Sequence, residues 1–468
     1  NAGTKHFVST NRWQNVHRSS YQGSIPAFRN VGSTARHLWW LTETGKWSLI
    51  GFILVFVTGS VMCGAANSSG MLIAGRAVAG LGGSGLLIGN QTVIAGLAPV
   101  DKRPAPGMLL GPIVGGVITD YSTWRWIFYI NLPISSVAIL ALVFTKIPEQ
   151  TKKPSWRRVV RNLHRYFDIV GCVICAGATS LLLLALNMSG ERIPWGSPIS
   201  IGMFVGAAVL FATFWIWNAR IGDRALIPVS VAKKRVVWSG AGNLLFSVGA
   251  STVQSYFLPL YFQSVRGNSA MMGALSTLPG LPGQIFFSLL SGFIISKIGH
   301  YLPWAVVGTA LHTMACSLLS RFTPNTPTAE WVSTQFIAGC GRGMSFQSPS
   351  IAIQAALAQD QISIASSILT FGMYFGSAIA STLASVTFDN MLRMELLART
   401  SNATETEKIL QAGADGFRDI ASGSDLTRAL DAYSDSIQVV FLLAAGLSAI
   451  SFVFAWGIGS FRVTANKP

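Results

Sequence analysis

The chain has 468 residues; half are hydrophobic, 11% are charged, and 34 Lys and Arg against 18 Asp and Glu give a formal charge of +16. Soluble domains contain about 25% charged residues, so this composition excludes an ordinary soluble enzyme. The basic residues form short clusters between long apolar runs instead of covering one soluble face, which argues against nucleic acid as a partner. The composition therefore predicts a membrane protein that contacts the lipid bilayer.

Apolar runs that could cross a membrane recur along the whole chain. A helix needs about 20 apolar residues to span the hydrocarbon core, and the third run is short, about 18 Å as a helix. The pattern predicts an all-α integral membrane protein with about twelve transmembrane segments. The predicted spans are Trp47–Ala66, Met71–Ala98, Gly107–Thr119, Trp126–Phe144, Ile169–Asn187, Ile199–Trp217, Ser239–Phe262, Met271–Ser296, Trp304–Ser320, Trp331–Leu357, Ile364–Val386 and Ile437–Gly459.

The basic residues collect in alternate loops. Six Lys and Arg precede Trp47, seven lie in residues 146–165, and five lie in residues 220–235. The intervening loops hold single arginines, and the long loop 389–436 has five basic but nine acidic residues. Cytosolic loops carry the excess of Lys and Arg, so both termini are predicted to lie in the cytosol. We expect the plasma membrane, with the vacuolar membrane as the alternative.

Glycosylation sequons fall in loops assigned to the exterior. The sequon at Asn402 lies in the long acidic loop, and those at Asn67 and Asn187 lie close to the membrane. The sequence therefore predicts a glycoprotein, although such triplets also arise by chance.

The chain contains an internal repeat. A shift of 259 residues superposes Ala79-Gly80-Leu81-Gly82 on Ala338-Gly339-Cys340-Gly341. Duplicated halves around a central polar site are typical of secondary transporters, and a chance match of abundant Ala and Gly is the alternative. The predicted units are a polar segment 1–46, a partial N-terminal half 47–146, a linker with two extra spans 147–238, and a C-terminal half 239–468 that includes the loop 389–436.

A glycine-rich run predicts a hinge or a close-packed helix seam. In Gly107-Met-Leu-Leu-Gly111-Pro112-Ile-Val-Gly115-Gly116, four glycines let a neighbouring backbone approach closely, and Pro112 removes one helix hydrogen bond. This GxxxGPxxGG pattern resembles the antiporter motif of the major facilitator superfamily.

Four further segments resemble the fungal-type fourteen-span drug:proton antiporters of that superfamily: residues 76–85, 124–133, 256–263 and 339–354. The resemblance implies a bundle of two similar halves that exports hydrophobic drugs, toxins or a secondary metabolite in exchange for protons. It also implies that the family's first two spans and part of the fifth have no counterpart here. We expect a monomer that is not an enzyme, binds a small hydrophobic substrate and protons, and needs no cofactor or metal.

Three residues are candidates for proton coupling and transport. Arg76 and Arg342 lie inside predicted spans, where a permanent charge is costly and points to function. The resemblance implies a coupling role for Arg76; the alternative for an intramembrane arginine is a side chain that snorkels or bonds a neighbour's carbonyls. His312 is the only intramembrane side chain that ordinarily titrates near neutral pH, and hydrogen-bonded packing is the alternative for it.

Amide side chains inside the spans are predicted to line a central cavity, in which aromatic rings would contact a hydrophobic substrate. Helix-to-helix hydrogen bonding is the alternative for each of them. These residues are Asn90, Gln91, Asn243, Gln254, Gln347 and Gln354.

Other functional classes are weighed against the export hypothesis. A non-transporting or defective membrane protein on a transporter scaffold is the main alternative, because spans are missing and no Asp or Glu lies inside any predicted span. An intramembrane enzyme is disfavoured since no His, Asp and Glu cluster has catalytic spacing. A nucleotide-driven pump is disfavoured since the chain has no GxxxxGK[ST] loop.

Overall fold

The structure is a computed structural model that describes residues 45–97, 125–144, 168–189, 193–222, 225–357, 359–399, 409–410, 417–418 and 423–460. Within these ranges the backbone is almost entirely helical, with one isolated β-bridge between Ser189 and Ile193. The helices are α1 Gly45–Gly64, α2 Ser69–Leu97, α3 Trp126–Tyr129, α4 Asn131–Phe144, α5 Ile169–Met188, α6 Pro198–Ile221, α7 Val229–Ala232, α8 Arg235–Ser264, α9 Ala270–Leu275, α10 Gly280–Ile298, α11 Leu302–Leu319, α12 Thr328–Ser345, α13 Ser348–Ala356, α14 Gln359–Arg399 and α15 Ser424–Gly457.

Eight helical segments in the described ranges are long and apolar enough to cross a membrane, and Leu49–Gly64 adds a shorter apolar helix. A helix satisfies its backbone hydrogen bonds internally, which is what a lipid environment requires. Large apolar side chains such as Val137, Phe144 and Val453 remain exposed on the outer surface, where lipid would cover them. The prediction of an all-α membrane bundle is confirmed.

Two predicted spans contain a break in the structure, although Met271–Ile295 remains long and apolar enough to cross a membrane. The run Trp331–Leu357 forms α12 and α13, which meet at Phe346 and Gln347. Pro349 lies in the first turn of α13, where its missing N–H interrupts no helix bond. The run Met271–Ser296 is likewise divided by turns before α10, at Pro279.

The loop predicted at 389–436 is helical at both ends, which corrects its assignment as a loop. Helix α14 continues to Arg399 and α15 already begins at Ser424. Arg399 forms ion pairs with Glu395 on its own helix and with Asp435 on α15, which holds the two helix extensions together. Buried side chains in the extensions, among them Leu392, Leu396 and Tyr433, join the C-terminal core and continue the helices beyond the apolar runs, and the partly exposed ion pairs add little.

Residues 417–418, which lie between α14 and α15, pack on the bundle. The ring of Phe417 is fully buried and stacks on Tyr433 with centroids 4.6 Å apart. Arg418 donates hydrogen bonds to the carbonyl oxygens of Ser264 and Val265 at the end of α8. This end of the C-terminal helices is therefore covered by folded chain.

The long helices pack in three groups, which are α1 to α4, the pair α5 and α6, and the C-terminal helices from α8 onward. Helix α1 packs along α2, and α3 and α4 contact α1. Helix α8 packs between α14 and α15, and α12 packs between α10 and α11. The pair α5 and α6 is joined to this C-terminal bundle through α14, for example by Phe211 against Phe375. The two arginines that the sequence singled out lie on α2 and on α12, in different groups.

Asp168 organises the entrance to α5 and α6. Its carboxylate accepts hydrogen bonds from the backbone N–H of Gly171, from Nε1 of Trp217 and from the backbone N–H of Leu226. The first bond caps α5, and the other two join α5 to α6 and to the segment before α7. The Asp168 carboxylate therefore holds together the ends of α5 and α6 and the segment before α7.

Candidate functional site

Arg76 lies on α2, seven residues after the helix begins at Ser69 and so about 10 Å into the span. The central carbon of its guanidinium is 5.5 Å from the ring centroid of Phe128 on α3. A cation over an aromatic face is attracted by the ring quadrupole, more strongly when water is excluded. The protein thus supplies Arg76 with an aromatic partner within a span predicted from the sequence.

Arg125 holds the aromatic partner of Arg76 in place. Its guanidinium donates hydrogen bonds of 2.8 Å to the carbonyl oxygen of Gly64 and of 2.9 Å to that of Ala66, at the turn between α1 and α2. Because α3 begins at the next residue, this clamp fixes Phe128 over α2. Arg125 is therefore a positioning residue for the surroundings of Arg76.

Arg342 lies on α12, fourteen residues after Thr328 and so about 21 Å along the helix. Glycines on α12 allow two neighbours to approach it. A methyl group at Gly339 would overlap the carbonyl oxygen of Gly280 on α10, and one at Gly341 would lie 2.6 Å from the carbonyl oxygen of Gly308 on α11. Arg342 therefore projects from a seam of three closely packed helices.

The guanidinium of Arg342 lies against the beginning of α10. A methyl group built on Gly280 would stand 3.1 Å from an Nη atom of Arg342. The Nε atom is buried and has no hydrogen-bond partner within the described residues. A buried donor without a partner is costly, so this atom is a candidate for ligand binding.

His312 lies on α11 and is completely buried. Its Nδ1 atom is 3.2 Å from the hydroxyl of Ser448 on α15, and its Nε2 atom is 3.7 Å from the sulfur of Cys316. Thr313 donates a second hydrogen bond, of 3.0 Å, to the Ser448 hydroxyl. These contacts match the packing alternative for His312, and its coupling role stays a prediction.

The predicted cavity residues have different surroundings. The amide of Asn243 is buried and donates to the backbone oxygen and the hydroxyl of Ser451, each at 3.0 Å, so it joins α8 to α15. Gln254 is also buried, and its Oε1 atom has no partner among the described residues. Gln347 and Gln354 are exposed, at the start of α13 and along it. Of the four cavity candidates whose side chains are described, only Gln347 and Gln354 lie on an open surface.

Several predicted residues fall outside what the structure describes. Asn90 and Gln91 lie on α2, but their side chains are not among the described ones. The glycine-rich run with Gly107, Gly111, Pro112, Gly115 and Gly116 lies outside the described residues, as does the sequon at Asn402. Of the other two sequons, Asn67 is exposed, whereas Asn187 is partly buried and donates to the carbonyl oxygen of Leu183.

Sequence reasoning missed Gln335, which lies on α12 two turns before Arg342. Its Nε2 atom donates a 2.9 Å hydrogen bond to the carbonyl oxygen of Ser276, in the turns that precede α10. Its Oε1 atom is buried without a partner in the described part of the chain. The repeat held the signal, because the same shift of 259 residues that aligns the glycines superposes Arg76 on Gln335.

The amino-acid sequence matches a known protein family. The model of the Major Facilitator Superfamily matches residues 43–381. The MFS-type transporter pigP of Monascus ruber is 40% identical over 434 residues, which cover 90% of this chain and 76% of the relative. The efflux pump mlcE of Penicillium citrinum is 40% identical over 442 residues, which cover 90% and 79% of the two chains.

Solved structures of the same architecture are similar to the whole chain. One is a bacterial homologue of the human lysosomal transporter Spinster in an inward-facing, occupied conformation. It has a TM-score of 0.55 and 13% sequence identity, and the match covers 98% of this chain and 94% of that one. At this identity the likeness concerns the fold alone.

Proposed function

Because this chain belongs to the Major Facilitator Superfamily, we propose that it exports hydrophobic small molecules, namely drugs, toxins or a secondary metabolite, in exchange for protons. The observation that carries the proposal is the 40% identity to the efflux pump mlcE over 90% of the chain. Membership of this transporter family makes the protein a multi-pass membrane protein and not an enzyme.

We propose that transport uses two halves, residues 47–146 and 239–468, with residues 1–46 before them and the extra spans of 147–238 between them. The separate packing of α1 with α2 and of α8 with α14 and α15 supports this division. Rocking of one half against the other would expose a central site to each side in turn. The glycine-rich run 107–116 would be the seam on which the N-terminal half bends.

For proton coupling we propose Arg76, with Arg342 and His312 as further participants. The support for Arg76 is its position about 10 Å inside a span, next to an aromatic ring. A fixed positive charge at this position would lower the proton affinity of any titratable group beside it and so favour release of a proton from that group. Cytosolic termini, a plasma-membrane location and glycosylation at Asn402 belong to the same proposal.

The test is uptake of a fluorescent hydrophobic compound into inside-out membrane vesicles that contain the protein, because export appears as uptake in this orientation. With acid imposed inside, uptake into the vesicles should be fast, and collapsing the pH gradient with an ionophore should stop net uptake. Vesicles without the protein provide the background. Uptake that ignores the pH gradient would contradict proton exchange, and no uptake of any tested hydrophobic compound would contradict export itself.

A further inference from the structure

Arg342 differs from the other arginines of the C-terminal bundle because its Nε atom is buried with neither an ion pair nor a hydrogen-bond partner among the described residues. We propose that Arg342 binds a carboxylate of the exported compound, so that the transported class includes hydrophobic organic acids. This inference rests on the export function proposed above and adds the chemical class of its substrate.

The nearby sequence offers no carboxylate to Arg342. Residues 239–388 contain two acidic residues, Glu330 and Asp360. Glu330 is exposed in the first turn of α12, twelve residues and therefore about 18 Å before Arg342. Asp360 follows Arg342 by eighteen residues, on α14. Within the described residues Arg342 forms no ion pair, unlike Arg399, which pairs with Glu395 and Asp435.

Backbone carbonyls do not take the place of a counter-ion at Arg342. Arg266 donates to the carbonyl oxygen of Thr326, Arg418 to that of Ser264, and Arg235 to that of Gly457. The described part of the chain contains no such side-chain hydrogen bond from Arg342, and its Nε atom is buried. These three arginines are therefore satisfied by backbone carbonyls, whereas Arg342 keeps a donor without a partner among the described residues.

The helix seam holds this donor in a fixed position. Gly339 and Gly343 let α12 touch the backbone of α10, where Cβ atoms would overlap the carbonyl oxygens of Gly280 and Gln284. The guanidinium then lies beside Gly280. A donor held rigidly loses little conformational freedom when an anion arrives, and a planar guanidinium matches a carboxylate with two parallel hydrogen bonds.

A second unused polar atom lies on the same face of α12. Gln335 precedes Arg342 by seven residues, which is two helical turns. Its side chain is 1% exposed, and its Oε1 atom has no partner within the described residues. Two buried polar atoms without a partner among the described residues, on one face of one helix, are expected where a polar ligand completes the hydrogen bonds.

The experiment compares two probes that differ in charge but share one apolar body, pyrenebutyrate and pyrenebutanamide. Exchange of each probe across vesicles is measured at equal pH on both sides, so that binding and translocation are scored without proton coupling. Binding of each probe to the purified full protein is measured by fluorescence anisotropy. The variants are Arg342→Gln, Arg342→Lys and, as a matched control, Arg321→Gln, since Arg321 is exposed.

We expect Arg342→Gln to weaken pyrenebutyrate binding and exchange at least about tenfold and to leave the amide within about twofold, since a buried charge contact is lost. Arg342→Lys should retain part of the preference for the acid, and Arg321→Gln should change neither probe. Equal losses for both probes, or no loss for either, would overturn the carboxylate assignment. If the unaltered protein binds the acid but exchanges neither probe, the export function fails while the binding site stands.

If Arg342→Gln does not fold, binding of the two probes to the unaltered protein and to Arg342→Lys still tests the carboxylate assignment. The unaltered protein should bind the acid at least about tenfold more tightly than the amide, and Arg342→Lys should narrow that ratio. Equal affinity of the unaltered protein for the two probes would sink the proposal.

Discussion

The surroundings of Arg76 in the N-terminal helices and of Arg342 in the C-terminal helices differ, although both arginines lie within spans predicted from the sequence. Arg76 faces the ring of Phe128, which Arg125 clamps over it through two carbonyl oxygens. Arg342 lies in a glycine seam with its Nε atom buried and without a partner among the described residues. The two arginines thus differ in what lies against the guanidinium, an aromatic ring for Arg76 and the backbone at the start of α10 for Arg342.

The largest expected effect is the loss of export when Arg76, the arginine of the N-terminal helices, is replaced. Arg76→Ala should reduce proton-driven export by at least about tenfold, because the costly intramembrane charge is retained for function. Insertion should be unchanged, since removing a charge makes the helix more apolar. Initial export rates are normalised to the amount of protein in the membrane, with Arg321→Ala as the control. Full export by Arg76→Ala would remove this residue from the mechanism.

The next effect compares the glycine seams of the two regions. Gly339→Ala should destabilise the protein by about 1–3 kcal/mol because its methyl group meets the Gly280 carbonyl oxygen, and Gly82→Ala should cost a similar amount against Phe56. Gly446→Ala is the control, since nothing lies within 4 Å of its added carbon. Thermal unfolding in detergent checks the order. An unchanged Tm for Gly339→Ala would mean that the α10 to α12 seam is looser than described.

A smaller effect sharpens the aromatic half of the comparison. Phe128→Leu removes the ring beside Arg76 and should weaken the local structure by about 0.5–2 kcal/mol. Export should fall several-fold, while Phe128→Tyr, which keeps a ring, should stay near normal. Export rates and Tm values of the two variants are compared. If leucine performs as well as tyrosine at this position, the cation–π contact contributes nothing to transport.

The smallest effect concerns the ion pairs of Arg399 with Glu395 and Asp435. Arg342 has no such acidic partner among the described residues. Arg399→Gln should lower stability by less than about 1 kcal/mol, because Arg399, Glu395 and Asp435 are all partly exposed and screened by water and salt. The difference in Tm between the variant and the unaltered protein should shrink further in high salt. A loss of several kcal/mol would show that these pairs, and not apolar packing, hold the external helix extensions.

Much of the fold was predictable from the chain itself. Apolar runs such as Ile169–Asn187 and Trp304–Ser320 correspond closely to α5 and α11, because in lipid a helix is the way for a single segment to satisfy its backbone. Helix continuity was less predictable. The division at Phe346 occurs just before Pro349, and the extension of α14 to Arg399 depends on contacts of Leu392 and Leu396 with other helices, which hydropathy averages conceal.

The candidate site was predictable as a set of unusual residues but not as an arrangement. Sequence reasoning identified Arg76, Arg342 and His312 because charge or titration inside an apolar run is unusual. It could not tell that His312 bonds Ser448, 136 residues away, or that Asn243 bonds Ser451. It also passed over Gln335, although the repeat aligns this residue with Arg76.

The sequence by itself determined the membrane class, the approximate number of helices, the resemblance to the transporter family and the identity of the intramembrane charges. These properties follow from local composition and from spacing along one helix. Only the tertiary structure decided which charges have partners, because partners such as Phe128 for Arg76 come from other helices through packing. Close approach at Gly339 and Gly341 sets those contacts, and contact between distant segments leaves no trace in local composition.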